Sequence, residues 1–145
     1  MFVRNVLLML AGMLLGWFLV GAVYFLASKA RSAEYLSLTL GSYHFDRDKD
    51  YNERNLGIGY ERHSGQWSFL TGYYKNSYYK DTVYLMAGYL PLRYENWRAG
   101  VVGGLVTGYE SPFLAGGVVS YNGRRYGLNI ILAPVAIALQ VKWKL

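Results

Sequence analysis

Ala136-Ile137-Ala138-Leu139-Gln140-Val141-Lys142-Trp143-Lys144-Leu145 is the stretch that decides the fold. Ile137, Leu139, Val141, Trp143 and Leu145 alternate with Ala136, Ala138, Gln140, Lys142 and Lys144. A strand turns successive side chains to opposite faces, so this period of two describes a ribbon with one oily face and one small or polar face. Both edges of such a ribbon need partners. Pairing with the first strand of the same chain closes a barrel that has no free edge.

Working back from that strand, the same alternation recurs. Leu36, Leu38 and Leu40 oppose Ser37, Thr39 and Gly41; Leu56, Ile58 and Tyr60 oppose Gly57, Gly59 and Glu61. Further strands are expected over Trp67–Lys75, Thr82–Leu90, Trp97–Tyr109, Phe113–Tyr121 and Arg125–Leu132, with Pro91 ending the fourth or sitting on a rim. His63-Ser64-Gly65-Gln66 reads as a tight turn, and Asn122-Gly123 as a hairpin turn. No segment after Glu34 carries a helical period. The expected fold is therefore all-β: an eight-stranded antiparallel barrel over residues 34–145, with loops at 45–55, 75–82, 109–113 and 133–136 on one end and turns at 62–66, 91–97 and 121–125 on the other.

Composition narrows the class. The 145 residues suit one domain. Without cysteine there is neither a disulfide framework nor a thiolate metal site, and the two histidines, His44 and His63, lie in no zinc-binding frame. No metal or cofactor is expected. The 15 basic and 9 acidic residues leave a net charge of +6, spread without a basic stripe, which argues against nucleic acid as a partner. Asp46, Asp48 and Asp50 begin like a calcium loop, but Tyr51 stands where glycine is needed and Gly57 where the bidentate glutamate belongs, so a solvated loop is expected.

Residues 1–30 read as an export segment. Arg4 precedes an uncharged apolar run, Val6 to Ala27, and Ser28-Lys29-Ala30 offers a small-x-small cleavage site. The run is also long enough to stay in a bilayer as a signal anchor. Downstream, strands of 8–11 residues, an even strand number and Tyr/Trp clusters near strand ends (Tyr60, Trp67, Tyr73, Tyr84, Tyr89, Trp97, Tyr109, Tyr121, Tyr126, Trp143) fit a transmembrane barrel. Alternation alone does not say which face is inside, and a soluble lipocalin-type barrel has the same period. Export and the apolar final strand favour lipid on the outside. Val141, Trp143 and Leu145 fit the terminal pattern that outer-membrane assembly machinery reads, with Leu in the place of the usual Phe.

One run of residues has a family likeness. Tyr51-Asn52-Glu53-Arg54 followed by Gly57 and Gly59, then Gly65-Gln66-Trp67 and Lys75-Asn76-Ser77, resembles the outer-membrane lipid A palmitoyltransferases, the PagP family, from about Leu40 to Leu145. Ala87-Gly88-Tyr89, Gly104 to Thr107 and Leu132-Ala133-Pro134 extend the likeness, which also covers small barrels of phages and Gram-negative bacteria. The resemblance implies a barrel tilted in the outer membrane, with an interior acyl pocket and a loop His, Asp and Ser that move a palmitoyl chain from phospholipid to lipid A. Ser77 matches the serine, but Asn76 replaces the aspartate; Thr39 or Leu40 stands at the histidine position, and His44 is the nearest imidazole.

A serine needs a base, and the base an orienting acid. The candidate catalytic pair is Ser77 with His44, oriented by Asp46 or Asp81. Tyr51, Asn52, Glu53, Arg54, Gly57, Gly59, Lys75 and Asn76 form a structural loop motif, with Glu53 and Arg54 read as an ion pair. Gly88 marks a candidate acyl slot. Lys142 and Lys144 point inward in this register and call for Glu61 or Glu110 as partners. Three functional expectations follow: a non-catalytic outer-membrane barrel of PagP-like fold, monomeric, that binds membrane lipid or lipopolysaccharide or alters the cell surface; an acyltransferase acting on lipid A; and an inner-membrane-anchored periplasmic β-domain.

Overall fold

The carboxyl-terminal strand does find the first one. In the computed structural model, which describes residues 32–145 and the isolated positions Gly12, Met13, Gly16, Val20 and Val23, Leu36 stands opposite Trp143 and Leu38 opposite Val141. Eight strands run in order: β1 (Ser32–His44), β2 (Gly57–Ser64), β3 (Trp67–Lys75), β4 (Asp81–Tyr94), β5 (Trp97–Val106), β6 (Phe113–Asn122), β7 (Tyr126–Leu132) and β8 (Ala136–Lys144). Each pairs antiparallel with its neighbours, and the β1–β8 pair closes the barrel. The export segment read over residues 1–30 lies outside the described residues apart from the isolated positions.

The connections sort by length. Loops 45–56, 76–80, 107–112 and 133–135 gather at one end, the loop end; turns 65–66, 95–96 and 123–125 gather at the other, the turn end. Several boundaries differ from expectation. β5 stops at Val106 and not at Tyr109, and Gly108 takes φ 78° in the loop that follows. β4 does not stop at Pro91: the register with β5 shifts between Tyr89 and Leu92, and a bulge there accommodates a residue that has no N–H to donate. β2 continues through His63 and Ser64, so the turn shrinks to Gly65 and Gln66, with Gly65 at φ 61°. Asn122 is still paired, with Gly127, so the β6–β7 connection is a three-residue loop rather than an Asn-Gly turn.

Side chains divide sharply between the two faces. Leu36, Leu40, Ile58, Val83, Leu85, Val101, Leu105 and Leu139 are exposed on the outside. Inward positions hold Ser37, Thr39, Glu61, His63, Ser68, Ser120, Asn129, Gln140 and Lys142, all buried, beside an apolar cluster of Leu70, Tyr84, Met86, Leu90, Val102, Val106 and Val118. Near the turn end, three outward Trp–Tyr pairs face each other across alternate strand pairs: Trp67 with Tyr89, Trp97 with Tyr121, and Trp143 with Tyr126. Their ring centroids are 5.2, 5.0 and 6.5 Å apart. Tyr43, Phe45, Tyr73, Tyr78, Tyr79 and Phe113 are the exposed aromatics near the loop end.

Candidate functional site

The interior has two storeys. Toward the turn end it is filled by a polar network centred on Lys142, whose ammonium donates to Glu61 Oε1 (2.9 Å), Ser120 Oγ (2.8 Å) and Asn129 Oδ1 (2.9 Å). An ammonium has three protons, and all three are placed. Glu61 also contacts His63 Nε2 through Oε1 and accepts from Asn129 Nδ2 through Oε2 at 2.7 Å. Asn129 bonds on to Gln140 (3.3 Å), and Gln140 to Thr39 (3.1 Å). The expected inward Lys142–Glu61 pair is present. Lys144, in contrast, is exposed at the turn-end rim, while Glu110 belongs to a loop at the other end, so these two do not meet.

Above this floor lies a cavity of about 140 Å³ that opens at the loop end. Its walls are Leu70, Met86, Val106, Leu114 and Ile131, and Thr39, Gln140 and Tyr84 form its base. The mouth carries an aromatic collar. His44 stacks on Tyr51 (4.2 Å, 19°), Tyr51 meets Tyr78 edge-on (5.8 Å), and Tyr78 meets Tyr109 (5.9 Å). Tyr109 shares a 2.9 Å hydroxyl contact with Tyr74. Burial pushes the Tyr109 phenol above its ordinary pKa, so the collar is uncharged there.

His44 reaches the interior by a local irregularity. Strict alternation from Leu36, Leu38 and Leu40 would turn it outward. The register against β8 slips between Thr39 and Gly41, and beyond this bulge Ser42 and His44 pair with the inward Ala138 and Ala136. Ser77 enters from the 76–80 loop and lies beside Tyr109. Both candidate catalytic residues therefore share the mouth. The expected orienting acids are elsewhere: Asp81 is bound to Tyr73 (2.7 Å) and Lys75 (3.0 Å), and Asp46 to the Asp48 amide (3.1 Å) and Lys49 (3.6 Å). Among the described residues no carboxylate lines the cavity; Glu53 Oε1 accepts from the His44 main-chain amide at 3.3 Å, and His44 Nδ1 is buried without a hydrogen-bond partner.

The loop motif is held by amides. Asn76 Oδ1 accepts from the amides of Tyr78 (2.9 Å) and Lys80 (3.0 Å), while Nδ2 donates to Gly108 O (2.9 Å). Asn52 donates to Asn76 O (3.1 Å), and Asn55 to Asn52 O (2.9 Å) and Lys75 O (3.1 Å). Glu53 pairs with Arg47 at 2.5 Å and not, as read from the sequence, with Arg54, which is exposed; the main-chain oxygen of Glu53 takes the Ser42 amide and so ties the loop to β1. Gly57 and Gly59 leave room for two tyrosines, since a Cβ would lie 2.4 Å from Tyr74 Cβ at the first and 2.2 Å from the Tyr84 hydroxyl at the second. Gly88 is packed against Ser68 and Leu90, outside the cavity lining. Asn55 and Tyr78 belong to no sequence motif, and Tyr109, expected as an interfacial aromatic, lines the cavity instead; only the fold brings the three to the mouth.

No family model and no curated protein matches the chain.

Proposed function

We propose that the chain is a β-barrel of the Gram-negative outer membrane, of PagP-like fold, that holds the end of a membrane-lipid or lipopolysaccharide hydrocarbon chain in its upper cavity without covalent chemistry. The observation that carries this reading is the sorting of side chains: large apolar residues stand exposed around the outside, while the turn-end part of the interior buries Glu61, Asn129, Gln140 and Lys142. In water the exposed apolar face wastes its burial; in lipid that objection vanishes, and the buried charges are met in either setting by their own hydrogen bonds. A nine-residue strand such as β8, at ~3.3 Å per residue and a tilt near 40°, rises about 23 Å, close to the hydrocarbon band such barrels cross. The Trp–Tyr pairs and the loop-end aromatics then mark the two interfaces.

The cavity is comparable to apolar cavities that take a benzene-sized guest, which suits a chain terminus rather than a whole palmitoyl group. Ser77 and His44 at one mouth support the acyltransferase reading as runner-up, and the missing carboxylate counts against it. The test is expression of the full chain in a Gram-negative host, with membrane separation, heat-dependent gel migration and mass spectrometry of lipid A. Outer-membrane recovery, faster migration when unboiled and unaltered lipid A are expected. A full-length product confined to the inner membrane would overturn the proposal in favour of an anchored β-domain; an added palmitate would overturn its non-catalytic part.

A further inference from the structure

The two ends of the barrel differ in charge. At the turn end stand Arg62, Arg93, Arg98, Arg124, Arg125 and Lys144 against only Glu34 and Glu95, and Glu34 faces Arg62 at 3.7 Å. At the loop end, Arg47, Lys49, Arg54, Lys75 and Lys80 are outnumbered by Asp46, Asp48, Asp50, Glu53, Asp81 and Glu110. The positive excess of the described residues therefore sits on one rim.

Within that rim one turn is shaped as a site. The β6–β7 connection forms a shallow, open concavity lined by Tyr121, Gly123, Arg124, Arg125 and Tyr126. Arg124 and Arg125 are exposed, and among the described residues neither guanidinium has an ion-pair partner. Tyr121 and Tyr126 belong to the outward Trp–Tyr pairs, so their rings stand on the lipid-facing side of the same turn. Two planar fork donors beside two amphipathic rings match a phosphate attached to an apolar body: the guanidiniums take the anionic oxygens, and the rings lie along the glycerol and first methylenes.

We propose that the β6–β7 turn is a phosphate site for an anionic phospholipid headgroup, with Arg124 and Arg125 as its donors and Tyr121 and Tyr126 as its flanks. The site rests on the outer-membrane reading, since it uses the leaflet that the turn end meets. An orthophosphate ion in solution offers the same oxygens but no hydrocarbon to cover the rings, and a soluble polyanion would not need the site beside the girdle.

The test uses the full chain inserted into phosphatidylcholine vesicles with and without phosphatidylglycerol as roughly one lipid in five, a mixture that sets up an anionic surface. Lipid retained after detergent extraction is read by native mass spectrometry. Wild type is expected to retain phosphatidylglycerol over phosphatidylcholine, and R124Q/R125Q to lose that preference by about tenfold or more, the scale of two basic side chains at such a surface. K80Q, a loop-end control, should keep it. Equal retention by R124Q/R125Q and wild type overturns the site while leaving the barrel intact. Displacement of the lipid by inorganic phosphate overturns the lipid assignment, as does preferential binding of an oligonucleotide by the same arginines. Failure of the wild-type chain to insert, shown by heat-independent migration, overturns this proposal together with the membrane reading.

Discussion

Lys142 Nζ and Glu61 Oε1 lie 2.9 Å apart across the seam of the barrel, with side chains 0% and 2% exposed. Neither residue's strand pairs with the other's. β2 and β8 are both neighbours of β1, where Tyr35 faces Glu61 and Ser37 faces Lys142, so the ion pair forms only if the first and last strands meet. Removing one partner strands a buried charge, at a cost of about 3–5 kcal/mol. Lys142→Met and Glu61→Gln are each expected to lower the midpoint of urea unfolding in detergent micelles sharply, and the double variant to recover much of the loss. Additive losses in the double variant would show that the two groups act separately.

Gly59 sets how closely Tyr84 crosses strand β2. A methyl group there would lie 2.2 Å from the Tyr84 hydroxyl and 2.8 Å from Ser37 Oγ. Gly59→Ala is expected to destabilise by about 1–3 kcal/mol, the usual cost of overpacking. Because the nearest clash is with the far end of a side chain, adding Tyr84→Phe should restore part of it. No recovery would place the strain in the strand backbone, at Thr71 O.

What alternation revealed was the strands and their two faces; taking the oily face as the outer one then placed the polar face inside. Glu61 and Lys142 could be placed inside because each lies on the small or polar face of a clean period-two strand. His44 could not. Its parity is that of Leu36, Leu38 and Leu40, and only the bulge at Gly41 turns it inward. The passage of β4 through Pro91 depends on a second bulge, between Tyr89 and Leu92. Bulges are set by pairing with a neighbouring strand, and a single-strand pattern carries no trace of them. The Asn52–Asn55–Asn76 lattice was hidden for a related reason: its partners lie on different loops, and Asn76 reaches Gly108 across 32 residues.

Asn76 uses both halves of its amide, accepting two loop amides and donating to Gly108 O. A carboxylate keeps the first role and loses the second, leaving a backbone carbonyl facing an anion. Asn76→Asp is therefore expected to lower stability by about 1–3 kcal/mol, and to leave lipid A unmodified, because that side chain is turned to the Tyr78 and Lys80 amides and to Gly108 O. Restored stability with acyl transfer in that variant would show that the loop is poised for catalysis. The readouts are the urea midpoint and lipid A mass.

Gly108, in the 107–112 loop that Asn76 donates to, has φ at 78°, and a Cβ there would meet Asn76 Nδ2, Asp81 O and Thr82 Oγ1 all at 2.9 Å. Gly108→Ala combines a left-handed backbone with crowding against two fixed groups, and about 1–3 kcal/mol of lost stability is expected. Since the loop carries Tyr109, the same variant should loosen the collar. The measurement is quenching of intrinsic tyrosine fluorescence by a water-soluble quencher, with increased access expected and unchanged access counting against the collar.

Tyr109 supplies a pH dependence whose sign follows from its burial. The folded pKa is raised above the unfolded value of about 10. The stability it contributes is fully present below pH ~10 and is lost as pH rises through the folded pKa, because the unfolded chain gives up its proton first and binds fewer protons than the folded one. Tyr109→Phe cannot ionise, so its urea midpoint should fall less steeply than that of wild type on the alkaline side. Near neutrality the variant should be slightly less stable, since it loses the 2.9 Å contact with Tyr74. The two midpoints are then expected to converge as the pH is raised. Parallel loss in both proteins would assign the alkaline transition to other groups and leave Tyr109 as packing alone.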